Sequence, residues 1–183
     1  LDEAGRRKLE AFYRDTFIPG LSKTGGENAE VPRLLPVEPG AQVAQKLYIA
    51  DNPHPYEKGN LLDVAPDNSE YSTAHKRFHA IFAQIANRIG LEDLMLVDSS
   101  LRVVYTYQKT TEFATNLATG PYANTNLSQG VRAMLKTGDR SAVHLADFEL
   151  YRPNLGKPAA FFCAPIFDGQ IPAFQVVIPS FGV

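Results

Sequence analysis

The chain has little sulfur and no tryptophan: one cysteine and two methionines among 183 residues. With Cys163 alone, no intrachain disulfide can form, which neither requires nor excludes an oxidising compartment. Its neighbours Phe161, Phe162 and Ala164 are apolar, so the thiol reads as a buried structural one; a reactive thiol wants a nearby cation or a helix N-terminus. No apolar run approaches the roughly 20 residues that span a bilayer. There is no basic excess, since 18 Lys and Arg face 20 Asp and Glu for a net charge of −2. The basic groups are short, such as Arg6-Arg7-Lys8 and Lys76-Arg77, and a nucleic-acid binder needs a basic face. Serine, histidine and aspartate are present, but none in the setting of a nucleophile elbow or beside an evident base. No internal repeat or low-complexity segment interrupts the chain.

The remainder is ordinary for one globular domain with a sizeable core, at 44% hydrophobic and 21% charged. The organising stretch runs from Leu94 to Asn126. An apolar run, Leu94 to Val97, meets a β-branched and aromatic run, Arg102 to Tyr107, across the polar turn Asp98-Ser99-Ser100. That pattern predicts a β-hairpin. A polar, Thr- and Asn-rich excursion with Gly120-Pro121-Tyr122 follows. Further strands are expected over 143–151, 159–166 and 171–178, the last two joined at the tight-turn signal Asp168-Gly169.

Helices come before and between these strands. Leu9, Phe12, Tyr13 and Phe17 predict an amphipathic helix over residues 2–18, stopped by Pro19-Gly20. A loop-rich region with Gly25-Gly26 follows, and then a helix after Gly40 with Val43, Leu47 and Tyr48 on its apolar side. Asn52-Pro53-His54-Pro55 ends it. The most regular helix runs from Tyr71 to Ile89, capped by Ser69 or Asn68 and closed by Gly90. Ala74, Phe78, Ile81, Phe82, Ile85 and Ile89 form one apolar face, expected to pack inward. His75 and His79 lie beside it, four residues apart; without a third ligand they read as a hydrogen-bonded pair, with a metal as the alternative. The oxygen-rich Asp63 to Glu70 lacks the central glycine of an EF-hand and reads as a capping loop. A last helix starts at Asn124-Thr125-Asn126, buries Leu127, Val131, Met134 and Leu135, and closes at Gly138. No metal and no cofactor are expected.

Two segments, VDSSLRVVYTYQKTTEFATNLATGPYANTNL and VHLADFELYRPNLGKPAAFFCAPIFDGQ, resemble the PAS-like Cache family. The stretch from Tyr48 to Gly90 is similar to the helical lead-in of one branch of that family. The resemblance implies an extracytoplasmic sensor domain of a bacterial transmembrane receptor with a chemoreceptor, histidine kinase or nucleotide cyclase output. It implies a non-enzymatic module, periplasmic and held by flanking membrane anchors, with Leu1 following the first of them. The implied fold is α+β: a five- to six-stranded antiparallel PAS-like sheet with a long N-terminal helix and a helical lead-in packed on it. Residues 1–90 would form stalk and lead-in, and 91–183 the sensor sheet with its lid, as one structural unit. A homodimer through the N-terminal helix is the expected partner arrangement, with no nucleic acid. The alternative is a structural dimerisation or partner-binding module with no small-molecule ligand.

In this family a small ligand lies between the sheet and the excursion after the second strand, here roughly residues 110–126. Strand alternation places Val103, Tyr105, Tyr107 and Lys109 on one side and Arg102, Val104, Thr106 and Gln108 on the other. The candidate ligand-binding residues are Tyr105, Tyr107, Lys109, Asn116, Tyr122, Asp147, Tyr151 and Phe161. Asp147 stands between Ala146 and Phe148; a carboxylate in such company wants a partner, whether a ligand amino group or hydroxyl, Lys109, Arg102 or a loop backbone. Many amine- and amino-acid-sensing members carry an aromatic–Arg–Trp–Tyr set, and the absence of tryptophan here departs from it.

Overall fold

In a computed structural model, residues 1–24, 29–137, 139–168 and 171–179 are described, with 168 and 171–179 described for their backbone alone. The sequence signals at Gly25-Gly26, Gly138 and Gly169 lie outside the described residues.

The N-terminal helix is not one long rod. Helix α1 spans Glu3–Phe12 and starts where the Asp2 carboxylate accepts from Gly5 N at 2.8 Å. A π-helical turn, Tyr13–Phe17, then widens the backbone and hands over to α2, Ile18–Lys23. Pro19 therefore sits at the start of a new helix, where its missing N–H costs nothing, and does not act as a stop. Leu9, Tyr13 and Phe17 are buried within the chain, together with Leu34 and Leu155. The short helices α3, Val31–Leu34, and α4, Pro39–Gln45, follow. A second π turn, Lys46–Ala50, and a 3-10 turn, Tyr56–Leu61, complete the lead-in. Gly59 in that turn is obligatory for packing: a Cβ there would stand 2.2 Å from the carbonyl oxygen of Gln108.

Helix α5, Glu70–Ile89, is capped by Ser69, whose hydroxyl accepts from Ser72 N at 3.0 Å. It closes on Gly90 at φ 70°, the left-handed conformation glycine adopts without steric cost. Its orientation reverses the expected one. Ser72, His75, His79 and Ala86 face inward, whereas Ile81 is 50% and Ile89 61% exposed, with Phe78 and Ile85 also exposed. Of the apolar stripe, Phe82 meets the sheet, beside Leu94 and Tyr105. The inward face is decided by hydrogen bonds: His75 and His79 reach backbone carbonyls of the lead-in, which an apolar face could not satisfy.

Four strands are described in full: β1 Leu91–Val97, β2 Val103–Thr106, β3 His144–Tyr151 and β4 Lys157–Asp168, the last with side chains to Phe167. They make two small antiparallel ladders, β1 with β2 and β3 with β4. This corrects the expected five- to six-stranded PAS-like sheet, although the α+β class stands. Among the described residues the two ladders are joined through the backbone of β5, Ile171–Pro179, antiparallel to both β1 and β4 in the order β2-β1-β5-β4-β3.

Both ladders are bulged, and the bulges undo the simple alternation. Leu96 pairs with Tyr105 and Val97 with Val103, so Val104 is extra. Tyr105 therefore turns to the α5 side while Val103 joins the core on the other face. Helix α6, Asn126–Leu135, is capped by Thr125, which accepts from Ser128 N at 3.2 Å, and buries Leu127, Val131 and Met134 over Met95, Val103, Ala146 and Phe161. Gly130 brings it close to the sheet: a Cβ there would meet Cys163 Sγ at 2.8 Å. Burial pushes the Cys163 thiol up to about 12, as befits a structural cysteine.

Candidate functional site

Beyond β2 the chain curls tightly. Lys109 and Ala114 both take positive φ, 58° and 63°. Between them Phe113 N donates to Thr110 O and, just past, Thr115 N donates to Glu112 O. This compact loop turns Thr111 and Glu112 inward, so that Glu112 is fully buried. Thr110 stands beside it.

A cavity of about 120 Å³ lies against the loop. Tyr56 and Glu57 of the lead-in close one side; Glu92 and Asp93 at the start of β1 form another. Tyr151 at the end of β3, Leu155 beyond it, and Lys157 and Ala159 at the start of β4 complete the described lining with Gln108, Thr110, Glu112 and Asn154. An apolar cavity of roughly 150 Å³ accommodates benzene, so this one suits about five non-hydrogen atoms. Its lining mixes polar side chains with the rings of Tyr56 and Tyr151 and with Leu155 and Ala159.

The polar groups converge on two buried carboxylates. Asp93 is 4% exposed; its Oδ1 accepts from Leu94 N at 2.7 Å and Gln108 N at 2.9 Å. Thr110 Oγ1 lies 3.2 Å from Asp93 Oδ2 and 2.8 Å from Glu112 Oε1. Burial raises Asp93 to about 6. Burial, and next the charge of Asp93, raise Glu112 to about 8. One hydroxyl hydrogen cannot serve both acids. At neutral pH a protonated Glu112 donates to Thr110 Oγ1, and the Thr110 hydrogen then serves ionised Asp93. Tyr151 Oη stands near enough to favour ionised Glu112, but among the described residues neither it nor Glu112 Oε2 has a hydrogen-bond partner. Gln108 Oε1 is likewise buried and unpaired.

Tyr56 ties this cavity to the N-terminal helices. Its hydroxyl donates to Pro153 O at 2.7 Å and accepts from Thr111 N at 3.0 Å. Its ring packs on Phe12 and Phe17, with centroids 5.7 and 5.6 Å away.

The eight sequence candidates divide into three groups. Tyr151 lines the cavity, with Phe161 edge-on behind it at 4.9 Å and Tyr122 one layer back, its hydroxyl 2.7 Å from Thr111 Oγ1. Tyr105, Tyr107 and Lys109 belong to the α5 side. There His79 Nε2 donates to Asn60 O, so Nδ1 accepts from the Tyr105 hydroxyl at 2.7 Å, and Asn60 Nδ2 donates to Tyr107. His75 Nδ1 donates to Asp63 O, and burial pushes its pKa down to about 3. Lys109 Nζ lies 3.3 Å from Tyr107 O and against the His79 ring, and burial lowers it to about 7. The stacked histidines are thus structural hydrogen-bonding groups.

Asn116 and Asp147 serve backbone. Asn116 Nδ2 donates to Ser100 O and its Oδ1 accepts from Ala118 N. Asp147 is exposed on the β3 bulge, accepting from Phe148 N, and is not in the cavity lining. The residues that sequence reasoning missed are Asp93, Thr110, Glu112 and Tyr56. Asp93, within Leu91-Glu92-Asp93-Leu94-Met95, is the buried carboxylate among apolar strand residues that Asp147 was expected to be.

No protein-family model matches the chain, and comparison with curated proteins and with solved structures likewise finds no match.

Proposed function

We propose that this chain is the signal-input module of a bacterial transmembrane receptor, on the extracytoplasmic side, and that a small molecule bound in the Asp93–Glu112 cavity is its signal. The observation that carries the reading is the cavity's position. It joins four separate segments: the lead-in, the start of β1, the loop after β2 and the β3–β4 end. A ligand held there bridges all four. Through Tyr56 it also acts on Phe12 and Phe17, and so on the helices that the receptor reading directs toward the membrane. Binding shifts the module between two arrangements to the extent that the ligand prefers one of them. The resemblance of Val97–Leu127 and Val143–Gln170 to Cache sensors supports the receptor context, and the role is one of binding, not of catalysis.

A thermal-shift screen of the purified chain tests this. The panel covers amino acids, amines, short carboxylates, purines and sugars. A ligand at a hundred times its Kd adds about 2.7 kcal/mol, which for this size raises Tm by roughly 5–10 °C. The expected result is a hit lost in Thr110→Val and in the cavity-filling Ala159→Leu. A hit that survives both folded variants places the ligand elsewhere and refutes the site; a panel flat throughout favours the partner-binding alternative.

The alternative, a partner-binding module, draws on a separate observation. The apolar residues Phe78, Ile81, Ile85 and Ile89 of α5 are exposed. On the same face of the sheet, Leu145 and Phe162 are exposed as well; Phe162 lies in register with Val177, and Val177 with Leu94, which α5 covers. The α1 stripe expected to mediate a homodimer is instead buried within the chain at Leu9, Tyr13 and Phe17. Any dimer in this reading forms through α5.

A further inference from the structure

We propose that the ligand of this cavity is a small organic cation, an ammonium on a chain of a few carbons, held between Asp93 and Glu112. The inference rests on the cavity being the ligand site, as argued above, and adds the ligand's chemical class.

The two acids are short of hydrogen-bond donors. Two buried carboxyl groups contact one threonine hydroxyl, and among the described residues neither is in an ion pair. Burying acids without a cation is costly, and proteins satisfy such groups by pairing or by protonation. Among the described residues the unpaired buried atoms here are Glu112 Oε2, Gln108 Oε1 and Tyr151 Oη; Gln108 Oε1 and, when Glu112 is ionised, Glu112 Oε2 can only accept from a ligand N–H, and Tyr151 Oη can accept as well. An alkylammonium brings a positive charge and three N–H donors, which is what this set lacks. An anion would meet two acids. Tyr56 and Tyr151 offer aromatic walls, against which a cation and its methylenes both pack favourably. The volume admits about five non-hydrogen atoms, as in n-butylamine.

Binding also moves a proton. The empty site holds Glu112 protonated at neutral pH; the ammonium stabilises the carboxylate, and Glu112 releases its proton to solvent while the ligand keeps its own. The other charged and phenolic groups at the cavity are Glu57, Glu92 and Lys157 in its lining and the hydroxyls of Tyr56, Tyr122 and Tyr151. Lys109 and Arg152 stand farther off, where Lys109 feels Asp93 and Arg152 feels Tyr122.

The test compares n-butylamine with n-butanol and butyrate of matched size, and with calcium chloride, by thermal shift and calorimetry on the whole chain. The expected result is a Tm rise with the amine alone and binding weakened at least tenfold in Glu112→Gln and in Asp93→Asn. Glu112→Gln keeps the shape and hydrogen bonds of the protonated acid, so its fold is retained. In two buffers of different ionisation heat at pH 7, close to one proton leaves per amine bound. The apparent Kd rises about tenfold for each pH unit below 8. Equal shifts with butanol or butyrate, a response to calcium in place of the amine, no response to the amine, or amine binding unchanged in both variants would each overturn the cation assignment. A neutral or anionic ligand that binds and is lost in Ala159→Leu removes the cation but leaves the cavity as the ligand site. No binding from any class removes both.

Discussion

Replacing Glu112 with glutamine should stabilise the empty protein, and by an amount set by pH. The folded carboxyl titrates near 8 against an ordinary value of 4.5. Above pH 4.5 the unfolded chain releases this proton while the folded chain keeps it. The unfolded state then binds fewer protons than the folded state, so stability falls as pH rises, and it stops falling once pH passes the folded value. At about 1.4 kcal/mol per pH unit, the wild-type residue costs less than about 1 kcal/mol at pH 5 and about 3 kcal/mol at pH 7. By pH 8 the cost is about 4 kcal/mol. Glutamine cannot ionise, and its amide donates to Thr110 Oγ1 as the protonated acid does, so it escapes the cost. Asp93 is raised in the same sense, but it is present in both proteins and largely cancels. Urea unfolding of wild type and Glu112→Gln at pH 5 and pH 8, with equal m-values, measures the difference. The gap between the two should widen by about 3 kcal/mol, or roughly 6–12 °C in Tm. A gap that stays constant with pH would show that Glu112 is ionised in the fold at neutral pH, and that some cation already in the chain pairs with it.

Two further outcomes follow from the same structure. Lys109 is depressed from 10.5 to about 7 by burial, so the folded state binds fewer protons than the unfolded one between those values, and stability there rises with pH. Lys109→Met should therefore gain more over wild type at pH 6 than at pH 9, by about 3 kcal/mol in urea unfolding; equal gains would mean the ammonium is solvated. Ile81→Glu, on a residue 50% exposed, should change the stability of a monomer by no more than about 0.5 kcal/mol. Under the partner-binding alternative with a second copy as partner it converts a dimer to a monomer by light scattering, and wild type that is monomeric at all concentrations would retire the homodimer form of that alternative.

Local signals in the chain were reliable where one short stretch supplied both the group and its partner. Ser69 and Gly90 bracket α5 because a capping hydroxyl and a left-handed residue act within a single turn. The hairpin at Asp98 forms because Asp98 Oδ1 accepts from Ser100 N and Arg102 N. Leu127, Val131 and Met134 are buried as their spacing demands. The sheet was less legible. Bulges at Val104 and at Asp147–Phe148 shift the faces by one residue, so that Tyr105 leaves Val103 and Asp147 goes to solvent. Periodicity counts residues and does not see which of them fails to pair.

By itself the sequence determined the α+β class, the positions of α5, α6 and the β1–β2 hairpin, their caps, the structural character of Cys163 and the exclusion of an intrachain disulfide. Those properties depend on side chains a few residues apart. The tertiary structure alone decided which face of α5 is inward, because lead-in carbonyls near Asn60 and Asp63 demand the histidines there and leave Phe78 and Ile81 outside. It alone assembled the site. Tyr56, Asp93, the Thr110–Glu112 loop and Tyr151 come from four separate segments, and what gives them their chemistry is shared burial. Asp93 and Glu112 are ordinary acids along the chain; placed on one threonine hydroxyl and buried together, they become a pair with no ion-pair partner among the described residues.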